Sequence, residues 1–256
     1  MTKTLRSNSN VPIRVIKPRK PSEAERRTEG RRAIEKLEKA RGTPRTRFRR
    51  ILALAKKMHS EDPESLHLLI AALGRIVQSQ AIVEPILHDG DVDSRWMEEQ
   101  TLLFDDTFPL DSAGHHLYDI VRKIKRTRRL RLGRDIVLPW PWRADRLQGA
   151  MIGLGSTGNW GPWKAELNHQ VELWEPIRVG WVHGGNHSIA VGILLGRGTI
   201  APQTTYDIAP LYQHVSCDGE VFRRKNDGAI ISEVASVEFA AIFEIGRLLT
   251  APSPTI

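Results

Sequence analysis

Apolar residues recur at helical intervals through the first half of the chain and break into short runs after it, with the change near residue 135. The clearest period is Leu66, Leu69, Ile70, Leu73, Ile76 and Val77, spaced by threes and fours behind Pro63, which predicts a long helix opened by proline. Upstream, Phe48, Ile51, Leu52 and Ala55 share one side of a second helix, with Arg49, Arg50, Lys56 and Lys57 towards the other. The pair is expected to form an αα-hairpin across HSEDPES. That polar connector is longer than the turn of about three or four residues in a helix-turn-helix DNA reader, and it lacks glycine. A polar helix is predicted between Ser22 and Gly42, with only Ile34 and Leu37 as an apolar stripe. Leu117, Ile120, Val121 and Ile124 carry a helical period over residues 115–129. Residues 1–20 have no sustained period and predict a flexible basic arm. The acidic, Gly- and Pro-broken stretch 89–112 reads as a hinge or a short helix between loops, and its aspartates lack the glycine and glutamate of a calcium loop.

Beyond residue 135 the texture is rich in Trp, Gly and Pro, as in DIVLPWPWRADRLQGAMIGLGSTGNWGPW. Ile177, Val179 and Trp181 alternate with Arg178 and Gly180, the pattern of a half-buried strand behind Pro176. Asp227-Gly228 supplies turn chemistry for a hairpin, and SVEFAAIFEIGRLL predicts a closing amphipathic helix. The expected organisation is a basic arm over 1–20, a basic helical module over 21–134, and a mixed α+β domain over 135–256.

Charge sharpens this division. Residues 1–60 carry 19 Lys/Arg against 5 Asp/Glu, and the rest of the chain 19 against 25. Within that acidic remainder VRKIKRTRRLRLGR packs eight Lys/Arg and no acid. Two clusters, Arg45, Arg47, Arg49 and Arg50 with Lys125, Arg126, Arg128 and Arg129, are therefore candidates for contact with nucleic acid. Cys217 is alone, which excludes an internal disulfide and Cys-rich zinc sites and points to a small core residue. No uninterrupted run of about 18 apolar residues and no secretory h-region is present, so no membrane partner and a cytoplasmic location are expected.

Two stretches carry candidate chemistry. GLGSTG, residues 153–158, matches G-x-G-x-x-G formally, but NWGPW follows where a dinucleotide site needs a helix, so it reads as a loop. No glycine-lysine-Ser/Thr triplet of a P-loop occurs. The second stretch is WVHGGNHSIAVGI, residues 181–193. Its His183 and His187 are separated by two glycines and have no H-E-x-x-H glutamate, so no metal site is assigned. A G-x-S-x-G nucleophile elbow would need glycines where Asn186 and Ala190 stand. What remains is a strand, a glycine turn and a helix N-terminus. It serves either as a cradle for phosphate built on Gly184, Gly185, Asn186 and Ser188, or as a tight β–α turn capped by Asn186. His187 and His169 are the nearby groups with acid–base range near neutral pH, and Glu172 is their candidate partner for a metal or water.

HGGNHSIAVGILLGRGTI resembles the signature of the ParB/sulfiredoxin superfamily, and GGNHS is similar to the GGCHR box of sulfiredoxins. The resemblance implies a ParB/sulfiredoxin-like α+β fold that binds ATP or CTP, with Mg²⁺, at this turn. It also implies work linked to plasmid or mobile-element DNA: partition, nuclease action, nucleotide hydrolysis, or fertility inhibition of the Osa type. Asn186 replaces the catalytic cysteine of that box, so sulfinic-acid reduction is not implied. Ser188 replaces its arginine, leaving Arg178, Arg197, Arg143 or Arg146 to grip phosphate. The alternative is a non-enzymatic inhibitor that binds DNA or a protein partner.

Overall fold

The computed structural model describes residues 22–87, 102–125, 128–155 and 157–251. The expected basic arm, residues 1–20, lies outside them. The chain forms two compact units, one ending at Gly42 and the other running from Thr43 onward. In the first, α1 (Glu23–Arg41) is a polar helix with an Arg27–Glu23 pair at 2.6 Å and with Ile34 and Leu37 exposed.

The second unit is α+β. Two long helices, α2 (Pro44–Glu61) and α3 (Leu66–Leu87), precede the sheet and are joined by a 3-10 turn, Pro63–Ser65. Thr43 caps α2 by accepting the Thr46 N–H at 3.2 Å, with proline in the first turn. The main sheet has the order β1-β7-β4-β5-β3, built from Arg122–Ile124, Thr204–Asp207, Gln170–Glu175, Val179–Gly184 and Ile136–Leu138. β3 and β5 are parallel, as are β4 and β7, whereas β4–β5 and β1–β7 are antiparallel. Two smaller sheets flank it: β2 (Leu130–Arg131) pairs with β6 (Thr199–Ile200), and β8 (Val215–Cys217), β9 (Val221–Arg224) and β10 (Ile230–Glu233) form a meander. Short helices α4 (Leu117–Ile120) and α7 (Leu211–His214) and longer ones α5 (Ala144–Leu154), α6 (Asn186–Leu194) and α8 (Val237–Thr250) complete the unit.

The sheet is covered on both faces. On one, Trp174 and Trp181 pack with Phe48 and Ala55 of α2, Ile70 and Val77 of α3, and Phe239 and Phe243 of α8. On the other, Val171, Leu173 and Val182 meet Ile189 of α6 and Trp163. Four successive residues of β5, Val179 to Val182, are accordingly buried, and the strand is a continuous buried run where a half-exposed alternation was expected.

Several expectations need correction. The boundary at residue 135 does not divide the packing, because α2 and α3 share one core with Trp174, Trp181 and α8. Nor is the stretch before it all-helical. The expected helix over 115–129 stops after the single turn of α4, and the chain then extends as β1 along β7. Successive cations from Arg122 onward would repel on a helix, whereas an edge strand spreads them. The stretch 89–112 is no hinge where it is described, since Leu102, Leu103, Phe104 and Leu110 are fully buried. Helix α5 was unforeseen in the Trp- and Pro-rich texture. The strand behind Pro176 starts at Val179, because Ile177 and Arg178 belong to a turn that follows a cis Glu175–Pro176 bond. Finally, Pro63–Leu87 is long and apolar enough by composition to cross a membrane, which a search for an uninterrupted apolar run passes over. Here its Leu66, Ile70, Leu73, Val77 and Ala81 are buried in the core.

A shared core has a measurable consequence. Six of the seven tryptophans lie beyond residue 135, so their fluorescence reports the C-terminal half. Phe48→Ala is expected to cost about 3–5 kcal/mol in one denaturant transition seen alike by fluorescence and far-UV circular dichroism. Two separate transitions would instead mark α2 and α3 as an independent module.

Candidate functional site

The parallel strands β3 and β5 both run into helices at their carboxyl ends, β3 into α5 and β5 into α6. Crevices outside the carboxyl ends of parallel strands are where open α/β sheets receive ligands. Gly185 forms the joint at β5: it is the N-cap of α6 at φ 77°, and a Cβ there would collide with the ring of His169. The left-handed backbone and the close approach each require glycine.

Asn186 does not cap the helix. It is buried, and its Oδ1 accepts the Trp140 N–H at 2.9 Å, tying α6 to the loop after β3. Ile189 is the first α6 residue to donate within the helix, to the Gly185 carbonyl at 2.9 Å. No side chain caps α6, and the N–H groups of Asn186, His187 and Ser188 have no acceptor among the described residues. Three backbone donors and the positive end of the helix dipole thus converge on one spot. Two cavities, of about 400 and 410 Å³, open beside it and share Trp160, Asn168 and Ser188. The first is walled by Trp142, Arg146 and His187, the second by Trp163, Lys164 and His169. The Arg146 backbone N–H donates to Asp145 Oδ1 at 2.8 Å, but its guanidinium makes no hydrogen bond or salt bridge among the described residues. Arg143, by contrast, holds Asp145 through two bonds of 3.0 and 2.6 Å.

The hydrogen bonds fix what the two histidines can do. His169 Nδ1 accepts the Glu166 N–H at 2.8 Å, so its proton sits on Nε2, which donates to Ser188 Oγ. The ring stacks on Trp163 at 5.1 Å, and that indole donates to the Ser188 carbonyl at 2.8 Å. A general base acting on serine needs the opposite polarity, with a free Nε2 and an Nδ1–H held by an acceptor. His169 therefore positions Ser188 and the first turn of α6. His187 Nε2 accepts the Arg143 N–H at 3.4 Å, which leaves its proton on Nδ1, and its ring meets the Trp142 edge at 4.7 Å. Both imidazoles are held below the ordinary histidine range, His169 by burial and His187 by burial and then by Arg146.

The other expected site residues lie elsewhere. Glu172 and His183 alternate onto the sheet face of Trp174 and Trp181, opposite α6. There Glu172 Oε1 accepts the Trp174 indole N–H at 2.6 Å, Oε2 stands 3.8 Å from His183 Nε2, and burial holds the carboxyl above its usual range. Arg178 sits at the opposite end of β5 from Gly184 and pairs with Glu64 at 3.5 Å. It cannot reach the turn. Arg197 is exposed and lines a further cavity with Gly155 and Gly158, which adjoins the 410 Å³ one at Leu154, Gly161 and Pro162. Of the expected nucleic-acid contacts, Arg45 and Arg47 face Glu220 and Glu238 at 3.4 and 3.7 Å, and Arg128 holds Asp135 at 3.0 Å. Arg49, Arg50, Lys125 and Arg129 are exposed, and Arg126 lies outside the described residues. Sequence reading missed Trp142, Trp160, Trp163 and Asn168, although four aromatic residues within PWPW and NWGPW, between a strand and a helix, were a usable signal. GLGSTG is explained by packing, since a Cβ on Gly153 would overlap the Trp160 ring. Among the described residues no group of three His, Cys, Asp or Glu is placed to hold a metal.

A protein-family model described as a family of unknown function, DUF6710, matches residues 23–253, and the chain belongs to that family. No curated protein and no solved structure matches the chain.

Two outcomes follow from this wiring. Ser188→Ala leaves the buried His169 Nε2–H without an acceptor and should cost about 1–3 kcal/mol in chemical denaturation at pH 7.5. Histidines whose folded pKa lies below the unfolded value stabilise fully above the unfolded pKa and lose that contribution as pH falls. His67, pushed down to about 4 by burial first and Arg178 second, acts in the same sense. The contribution of these three histidines should thus be constant above the ordinary histidine pKa of about 6.5 and be lost below it, so the melting temperature should fall as pH drops from about 6.5 towards 4.

Proposed function

We propose that this DUF6710 protein binds a nucleotide in the crevice between α5 and α6, with phosphate on the first turn of α6 and the base against tryptophan. The observation that carries this reading is the open first turn of α6, three N–H donors without acceptors, facing cavities that also present Arg146 and Trp160. Trp160 is 60% exposed, an indole face on which a base can stack. Arg146 supplies the charge that Ser188, in place of the arginine of the resembled signature, does not. The order strand, glycine turn and helix of the ParB/sulfiredoxin resemblance agrees with β5 and α6.

The residues present fit a phosphate and an aromatic ring. They offer no protein-held Mg²⁺ site, because among the described residues no three His, Cys, Asp or Glu side chains gather to hold a metal and Asp145 is already gripped by Arg143. A cation would arrive on the nucleotide itself. The same groups favour binding over hydrolysis: His169 donates at Nε2, His187 accepts a backbone N–H, and Glu172 is on the other face of the sheet. With neither histidine poised to take a proton from Ser188, the protein reads as a nucleotide binder.

Titration of ATP and CTP, with and without Mg²⁺, followed by tryptophan fluorescence and calorimetry, tests this. Binding is expected for at least one nucleotide, weakened roughly tenfold or more by Arg146→Gln, since a hydrogen bond to a charged group contributes about 1.5–3 kcal/mol. Trp160→Ala should weaken it comparably, at about 1–3 kcal/mol per stacked base. Absence of binding to both nucleotides, or equal affinity in all three proteins, refutes the reading.

A further inference from the structure

The amino ends of β3 and β5, opposite the crevice, enclose another cavity of about 240 Å³ between the start of α3 and the turn before β5. Its wall includes Arg128, Arg134, Arg178, Asp135 and His67. Three arginines around so small a space need a reason. Asp135 answers Arg128 at 3.0 Å and spends its second oxygen on the Arg131 N–H at 2.7 Å. Glu64 stands 3.5 Å from Arg178 and is 77% exposed in its side chain, so water screens that pair. Among the described residues the Arg134 guanidinium makes no hydrogen bond or salt bridge. Arg75 beside it, donating to the Gly133 and Arg134 carbonyls at 3.1 and 2.8 Å, adds to the positive potential.

Two further observations point to a ligand. Among the described residues Arg178 is the one non-glycine with positive φ, at 56°. A glycine would hold the turn with less strain, so arginine stands there against the preference of the backbone, as strained residues at ligand sites do. His67 Nδ1 is buried with no hydrogen-bond partner. Burial first, then Arg178 and more weakly Arg128, push that imidazole towards its neutral form against the Glu64 carboxylate 3.9 Å from its Nε2, and both arginines share the cavity wall with it.

We propose that this cavity is a phosphoryl-anion site, with Arg178 and Arg134 as the gripping residues, Arg128 as their neighbour and His67 as a neutral hydrogen-bonding group. Planar guanidinium forks match phosphate oxygens in pairs, and a cavity of this size takes a phosphate or pyrophosphate group but not a whole nucleotide. The phosphoryl group can come from a free small anion or from a polynucleotide backbone. The site is separate from the crevice at α6 and does not rest on it.

The test uses the full chain, pyrophosphate and a 12-nucleotide single strand, measured by calorimetry in wild type, Arg178→Gly, Arg134→Gln and Arg146→Gln. Pyrophosphate affinity should fall roughly tenfold or more in Arg178→Gly and Arg134→Gln, as expected for loss of a charged hydrogen bond. It should persist in Arg146→Gln. The melting temperature of Arg178→Gly should be no lower than that of wild type, separating lost binding from lost folding. If the single strand binds with a salt dependence that becomes shallower in Arg178→Gly, the source is a polynucleotide. If only pyrophosphate responds, the source is a small anion. Equal pyrophosphate affinity in wild type, Arg178→Gly and Arg134→Gln, or none in wild type, overturns the proposal. Loss in Arg146→Gln alone places the anion at α6 and overturns it too, while leaving the nucleotide reading intact.

Discussion

Strand β5 is buried on both faces, and its register governs the rest of the molecule. Trp181 packs against Trp140, Trp174 and Phe239 at centroid distances of 6.1, 5.2 and 5.2 Å. The opposite face allows no such bulk: a Cβ on Gly180 would stand 2.8 Å from the Leu130 side chain. A slip of one residue would carry Trp181 to that face, so the register has one solution. The point where the strand ends is then fixed as well. Gly184 closes it, Gly185 turns the chain, and α6 must begin at Asn186. The position of the open helix terminus is thus a consequence of core packing.

The same packing explains why the crevice suits binding better than proton transfer. His169 lies against Gly185 and Trp163, and both of its nitrogens are engaged. Such a ring holds the first turn of α6 rigid, which preserves the aim of the unused N–H groups. It gives up the freedom to accept a proton from Ser188. Asn186 repeats the pattern, since its amide oxygen is taken by Trp140 and the terminus is left open to an outside acceptor.

Elements whose fate depends on local spacing were legible in the sequence, among them α2, α3, α8 and the turn into α6. Those decided by long-range pairing were not. Val121 to Ile124 fits a helix until β7 offers it a partner, and α5 hides in a stretch whose tryptophans serve the crevice more than the helix. The division at residue 135 failed because composition changes there while the core does not: Phe48 and Phe239 belong to one cluster. The site was half legible. Spacing located the glycine turn and its donors, but a strand read from Pro176 put Arg178 in line with them, and only the turn at 176–178 shows that it faces the other end.

That separation changes what the charge of the chain means. From Arg178 to the α6 terminus β5 spans about 20 Å, at about 3.3 Å per residue. This exceeds the Debye length of about 8 Å at physiological ionic strength, so charge at one edge barely affects anion affinity at the other. Three of the eight cations in the two clusters face acids among the described residues, Arg45 and Arg47 those of the C-terminal half and Arg128 Asp135. The net basicity read from composition therefore overstates the field available to a polyanion. The two local concentrations of donors stand at opposite ends of one rigid, doubly covered strand, and the two proposed anion sites would each rest on geometry more than on the total charge.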